Sequence, residues 1–319
     1  MWLRMKLIKD FVENEKVNQA FLVNNVTKGI TTKGSNYLNI ILQDTSGTIE
    51  AKKWEVEIGD EEIIKVGNII RVEGDILIYK SGIQLRINKV EIINDSELDI
   101  SQFVPSAPIS RNELQKTLFE YVEKISNKEV KMVVEEVIKN HYISLSTYPA
   151  ATKNHHEYAS GLLYHTTSML KVAEALSGIY KVNTSFLYAG IILHDIGKTI
   201  ELSGPILPKY TTAGKLIGHI SIINSEVAKV CEQLAVSGET SILLQHMVLS
   251  HHGQYEFGSP VLPMTKEAEL LNFIDNIDSR MNAIDKALSG IDEGEFTPRQ
   301  FALEDRNFYK PFYKENKDD

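Results

Sequence analysis

The residues best equipped for chemistry are histidines and carboxylates, and their order along the chain is informative. All nine histidines of the 319-residue sequence fall after position 140. His165 sits in a segment of helical periodicity, and the adjacent pair His194-Asp195 ends another. His219 opens a third, His251-His252 closes a fourth before Gly253, and Asp275 lies in a fifth. Helices of a bundle can aim such residues inward to one point. Adjacent residues on a helix diverge by about 100°, so His194 and Asp195 suit two neighbouring metal ions better than one. The two oxygens of Asp195 can bridge them. Imidazole favours transition metals such as Mn, Fe or Co, while carboxylates add charge and hardness. Two such ions would acidify a bridging water and stabilise both the attacking and leaving oxygens of a phosphoryl displacement. His141 and His246 are read as surface or satisfied core residues.

Composition narrows the setting. Cys231 is the only cysteine, which excludes an internal disulfide and a cysteine-based zinc site. Hydrophobic residues make up 43% and charged residues 24% of the chain, the usage of an ordinary globular protein. The formal net charge of −9 argues against coating nucleic acid by bulk attraction, yet leaves room for a local strand-binding groove. No apolar run approaches the roughly 18 residues needed to cross a bilayer. The segment from Met1 to Phe11 lacks a signal-peptide core, so no membrane partner and a cytoplasmic location are expected.

Two periodicities divide the elements that must position these residues. Val17–Thr27, Tyr37–Asp44, Thr48–Trp54, Asn68–Gly74 and Ile76–Ile93 alternate as strands, with turns at Gly34-Ser35, Ser46-Gly47 and Ser81-Gly82. An acidic insertion from Glu55 to Lys65 precedes the fourth strand, which suits a small closed barrel of the OB type. The stretch 101–110, with Pro105 and Pro108, reads as a linker. Helical spacing follows from Arg111, with further helices at Glu129–His141, Gly161–Ile179, Thr184–Ile196, Ile217–Leu234, Glu239–His252 and Lys266–Leu288. The expected organisation is multidomain: an all-β OB barrel over residues 1–100, the linker, an all-α bundle over 111–303 and a polar tail over 304–319. In the tail, Phe308, Tyr309, Phe312 and Tyr313 are candidate docking groups and leave homo-oligomer contacts open.

The run His194-Asp195-Ile196-Gly197-Lys198, preceded by Gly161-Leu162-Leu163-Tyr164-His165-Thr166, resembles the HD superfamily of metal-dependent phosphohydrolases. That resemblance implies one metal held by His165, His194, Asp195 and Asp275, with Asp278 the rival for the last position. It implies a second held by Asp195 with His219, His251 and His252. The chain departs from cyclic-dinucleotide phosphodiesterases of the superfamily, which carry Gly-Tyr-Pro after the paired histidines, where this sequence runs from Gln254 to Pro260 without it. Some binuclear members also carry a glutamate where this chain has Gly161. Lys198 is a candidate to neutralise a non-bridging phosphate oxygen, against a simple helix-end lysine. His155 and His156 resemble the entrance segment of several HD enzymes, and His156 is a candidate substrate or leaving-group contact. Tyr210 and the Ser203–Tyr210 loop are candidates for the substrate rim.

The stretch from Tyr37 to Trp54 is similar to nucleic-acid-binding OB domains, which stack bases on aromatics and track phosphates with lysines. Lys33, Tyr37, Lys52 and Arg86 are the candidate strand contacts, while Phe21 and Trp54 are read as core. Lys52 and Lys53 must point to opposite faces. An OB barrel ahead of an HD domain resembles the YhaM-type 3′→5′ exoribonucleases over almost the whole chain. This implies single-stranded RNA, with single-stranded DNA as a further substrate, degraded from its 3′ end to nucleoside 5′-monophosphates with Mn²⁺ as activating ion. The alternative is an HD hydrolase of small nucleotides with a regulatory barrel.

Overall fold

Five strands, most of them with buried apolar residues at alternate positions, close on themselves. In the computed structural model, which describes residues 6–32, 34–79, 82–93, 102–104, 107–150 and 158–312, β1 (Lys16–Ile30), β2 (Asn36–Asp44), β3 (Gly47–Lys53), β4 (Ile69–Tyr79) and β5 (Gly82–Ile92) form a barrel. The strand order is β1-β2-β3-β5-β4. All pairings are antiparallel except β3 with β5, whose parallel ladder pairs Lys52 with Arg86. The interior is filled by residues such as Phe21, Leu38, Ile40, Leu42, Ile70, Val72, Ile76 and Leu85. The chain divides into two units, Met1–Ser106 and Ala107–Asp319, and the barrel is the core of the first. Lys33, His155, His156 and Tyr313 lie outside the described residues.

Two barrel expectations change. The fourth strand does not end at Gly74 but runs to Tyr79, and the fifth begins at Gly82. Gly74 marks a register shift within the β4–β5 ladder, where a Cβ would lie 2.3 Å from the Arg86 carbonyl oxygen. A glycine inside a strand here permits close backbone approach rather than a turn. Trp54 is not core, being 43% exposed, whereas Phe21 is fully buried. Of the two lysines on β3, Lys53 is buried and paired with Asp60 at 3.6 Å, in the short helix α1 (Asp60–Ile63). Lys52 is on the opposite, outer face.

The second unit is built around α5 (Thr184–Leu193), buried along almost its entire length. A helix apolar on all sides belongs inside a bundle. It contacts α2 (Arg111–Glu123), α3 (Lys128–Thr147), α4 (Gly161–Ser177), α9 (Glu239–Ser250) and α10 (Lys266–Ser289). Asn183 starts α5 by accepting from Ser185 N, and Thr265 starts α10 by accepting from Ala268 N, as N-cap residues do. The helix expected from Ile217 is two helices. α7 (Thr212–Ile217) stops at Gly218, whose φ of 77° breaks the run, and α8 (His219–Gln233) then begins. A one-turn helix, α6 (Lys198–Glu201), follows the His194-Asp195 pair. Residues 304–312 fold back along 294–300, with Phe296 opposite Tyr309 and Gln300 opposite Arg306. No helix among the described residues is long and apolar enough to cross a membrane.

Candidate metal centre

Five helix ends and faces deliver histidines and carboxylates to one buried spot. His165 comes from α4, His194 and Asp195 follow the last turn of α5, His219 opens α8, His251 and His252 follow α9, and Asp275 lies on α10. They form two groups: His165, His194 and Asp195 lie together, as do His219, His251 and His252. Asp195 faces both. Its Oδ2 is 3.2 Å from His194 Nε2 and 3.8 Å from His165 Nε2. Its Oδ1 is 3.4 Å from His219 Nε2 and 3.9 Å from His251 Nε2.

The far side of each imidazole is anchored. His194 Nδ1 faces the Ile191 carbonyl, His251 Nδ1 that of Val248 and His252 Nδ1 that of Phe257, each at 2.7 Å. A carbonyl can only accept, so each Nδ1 carries the proton and each Nε2 presents a lone pair. His219 Nδ1 has the Glu201 carboxylate at 3.3 Å, and the same oxygen accepts from the His219 backbone N–H at 3.1 Å. Such carbonyl and carboxylate partners are what orient metal-ligating histidines. On the inner side, His194 Nε2, His219 Nε2, His251 Nε2 and Asp195 Oδ1 are buried with no hydrogen-bond partner among the described residues. Orphaned buried atoms are costly, and a set of convergent lone pairs is satisfied by a cation. The donor set therefore fits one or two divalent ions.

His165 separates the two rival carboxylates. Its Nε2 is 3.2 Å from Asp275 Oδ1, and its Nδ1 is 2.7 Å from Asp278 Oδ2. Asp275 is thus on the side of the other ligand atoms and Asp278 is behind the ring. Burial works against protonation of His165, but the hydrogen bonds it donates to the Asp275 and Asp278 carboxylates outweigh it and raise its pKa to about 10. Burial pushes His251 the other way, well below its ordinary value, reinforced by His252 and His194. Burial would raise the Asp195 carboxyl, yet the Lys198 ammonium holds it well below the usual range.

A pH dependence follows for the metal-free protein. The folded His165 binds its proton up to about pH 10, while an unfolded chain releases it near ~6.5. The stabilisation is complete below the lower value and is lost as pH rises through the upper one. Melting curves of chelator-treated protein should show this loss, with a shallower slope in His165→Gln. Equal slopes in both proteins would contradict the assignment.

Lys198 reaches back from α6 to Asp195 Oδ2 at 2.6 Å. Burial disfavours its charge, but Asp195 overrides that and raises its pKa. Lys198, His219, His252 and Asp275 line a cleft of ≈ 410 Å³, with Tyr210, Phe257, Asn276 and Ser279 around it. His141 and His246 have other partners, Thr199 Oγ1 at 3.0 Å and the Met264 N–H at 2.9 Å. Glu201 was not anticipated. It precedes His219 by 18 positions, and no spacing rule links residues in different helices.

On the barrel, Tyr37 and Trp54 have ring centroids 4.9 Å apart. The Lys52 ammonium lies 5.4 Å from the Tyr37 ring, 5.1 Å from Trp54 and 5.5 Å from Tyr79. Arg86 is committed to Asp75 at 2.9 Å. Trp54 and Tyr79, both exposed, therefore join the half-buried Tyr37 and Lys52 in one surface cluster, whereas the sequence expectation for Trp54 is the core.

Known proteins place this architecture. Residues 162–280 match the family model of the HD domain, and residues 22–93 match that of the OB-fold nucleic acid binding domain. The 3'-5' exoribonuclease YhaM of Geobacillus sp. (strain WCH70) is 46% identical over 310 residues, covering 97% of this chain and 96% of the relative. Among solved structures, the second OB-fold domain of replication protein A from Methanococcus maripaludis aligns over 30% of this chain and 100% of its own, at 19% identity and a TM-score of 0.23. A replication protein A heterotrimer bound to ssDNA aligns over 27% of this chain and 60% of its own, at 16% identity and a TM-score of 0.21. With both family models matched in order and nearly the full length shared with an exoribonuclease, this chain belongs to the YhaM family of hydrolytic exoribonucleases.

Proposed function

We propose that this chain hydrolyses single-stranded RNA, and single-stranded DNA as a further substrate, from the 3′ end to nucleoside 5′-monophosphates. The observation that carries the reading is the convergence of anchored imidazoles on Asp195 with their Nε2 atoms unpaired. His165, His194, Asp195 and Asp275 would hold one divalent ion, and Asp195 with His219, His251 and His252 a second. Mixed imidazole and carboxylate donors suit a divalent transition metal, and the resemblance to the YhaM-type exoribonucleases makes Mn²⁺ the expected ion. When bound, such ions acidify water and polarise a phosphodiester.

The chain's own residues do the rest. Lys198 keeps its positive charge beside Asp195, in the wall of the cleft, where it offsets charge that builds on a non-bridging phosphate oxygen. Glu201 and Asp278 fix the rings of His219 and His165, so that no side-chain reorientation is needed at each turnover. His156 remains the candidate contact for the substrate or leaving group. The barrel holds the strand: Tyr37 and Lys52 with Trp54 form a cationic stacking platform, Lys33 is a further candidate strand contact, and Arg86 is held by Asp75. Tethering this platform to the hydrolase raises the local concentration of strand at the site. The working location is the cytoplasm.

The test is purified protein with Mn²⁺ and a 5′-labelled single strand, with products resolved by length. A ladder shortening to mononucleotides, stopped by chelator and restored by Mn²⁺, is the expected result. A single internal cut, or turnover of free nucleotides only, would overturn the reading. Trp54→Ala should weaken strand binding about 5–150-fold, the range for losing one stacked base. Fluorescence anisotropy with labelled RNA measures this, and an unchanged Kd would remove the platform.

A further inference from the structure

Beside the histidines, the cleft has two kinds of wall that the metal centre does not use. One wall is polar and belongs to α10. Asn272, Asn276 and Ser279 all line the cleft and recur at the one-turn spacing that puts residues on a single helix face. The Asn272 amide is committed to the His251 carbonyl at 2.8 Å. The Asn276 side chain is exposed and makes no hydrogen bond among the described residues. The other wall is aromatic. Tyr210 and Phe257 line the same cleft while remaining 49% and 60% exposed.

Both rings stand on backbone that is tied to the histidine cluster. The Phe257 carbonyl accepts from His252 Nδ1 at 2.7 Å, within a short turn closed by Gly258 at φ 93°. Tyr210 bridges to Leu202, and the next residue donates from its backbone to the Glu201 carbonyl at 2.9 Å. Glu201 in turn holds His219. The backbone that carries both rings is therefore kept at a fixed offset from the histidine cluster, which suits a stacking surface.

We propose that this cleft is the pocket for the terminal ribonucleoside, with Phe257 and Tyr210 against the base and Asn276 reading the ribose 2′-hydroxyl. The inference rests on the exoribonuclease reading and deepens it. The terminal ribose is joined to the scissile phosphate through C5′, so its 2′-hydroxyl falls one sugar ring's width from whatever holds that phosphate. Asn276 follows Asp275 in sequence and borders the same cleft. A carboxamide offers both a donor and an acceptor, matching a 2′-hydroxyl that is also both. A base needs only π-faces, so the aromatic wall accepts all four bases. The cleft of ≈ 410 Å³ lies within the ~300–1,000 Å³ of small-ligand sites.

The experiment uses the full chain and two probes, adenosine 5′-monophosphate and its 2′-deoxy counterpart, titrated calorimetrically. Alongside, matched RNA and DNA 12-mers are degraded with Mn²⁺. The wild type should bind the ribonucleotide about tenfold more tightly, and Asn276→Ala should bring that ratio to about one. The RNA-to-DNA ratio of kcat/KM should fall by a similar factor. Phe257→Ala should weaken both mononucleotides by about tenfold, and Phe257→Trp should recover the loss. Equal ribo and deoxy affinities in the wild type overturn the proposal, as does an unchanged ratio in Asn276→Ala. A wild type that shortens RNA while Asn276→Ala keeps the original ratio sinks the pocket and leaves the exoribonuclease reading standing. A wild type that shortens no strand, yet shows the expected mononucleotide ratios, sinks that reading and supports the pocket.

Discussion

Replacing Asp195 by Asn should reduce hydrolysis at least about 10³-fold and lower the content of both metal sites together. The reason is the position of its two oxygens. Oδ2 lies with His194 and His165, and Oδ1 lies with His219 and His251. One carboxylate therefore serves two donor groups, whereas His165→Ala and His252→Ala each touch one. Asparagine keeps the shape and leaves an oxygen for Lys198, which is 2.6 Å from Oδ2 and only 15% exposed. Alanine would instead strand a buried ammonium, and its instability would be confused with lost chemistry. Metal content by mass spectrometry, read beside activity, separates the cases. Loss of one ion only would show that Asp195 is not a bridge. Activity above a tenth of wild type would remove it from the centre. Strand binding by the barrel should persist, because Tyr37, Lys52 and Trp54 belong to the other unit.

Gly197→Ala is expected to have the next largest effect on turnover, although Gly197 bears no functional group. An added Cβ would lie 2.2 Å from the His219 carbonyl oxygen and 2.9 Å from its carbonyl carbon. Carbon–oxygen contacts settle near ~3.3 Å, so the first residue of α8 must retreat by about 1 Å. His219 would move away from Asp195 Oδ1, from which it is now 3.4 Å. A shift of that size costs on the order of 10²-fold in rate. Overpacking of this kind destabilises by about 1–3 kcal/mol, or roughly 2–12 °C in Tm. Gly204→Ala is the control, since a Cβ there meets nothing within 4 Å. Wild-type turnover in Gly197→Ala would mean that the close approach of the two segments is unimportant.

The stretch His194-Asp195-Ile196-Gly197-Lys198 carries both of these expectations, and it was legible because it is local. The change from two-residue to helical periodicity was legible for the same reason, since each element's burial is written in its own neighbours. The β4 boundary was misread at Gly74 because a glycine looks alike at a turn and at a bulge, and only the partner strand distinguishes them. Trp54 was misplaced because large aromatics are mostly buried, and its contact with Tyr37 joins residues far apart in sequence.

By itself, the sequence determined which side chains have metal-binding chemistry, the helices that carry them and the order of barrel and bundle. Tertiary structure alone decided their mutual roles. It set Asp275 on one side of His165 and Asp278 on the other, brought Glu201 behind His219 and turned the two Asp195 oxygens to different histidines. The physical reason is that a ligand's identity is local, whereas its orientation depends on the partner at its second nitrogen or oxygen. Those partners arrive from helices that only the packed core brings together.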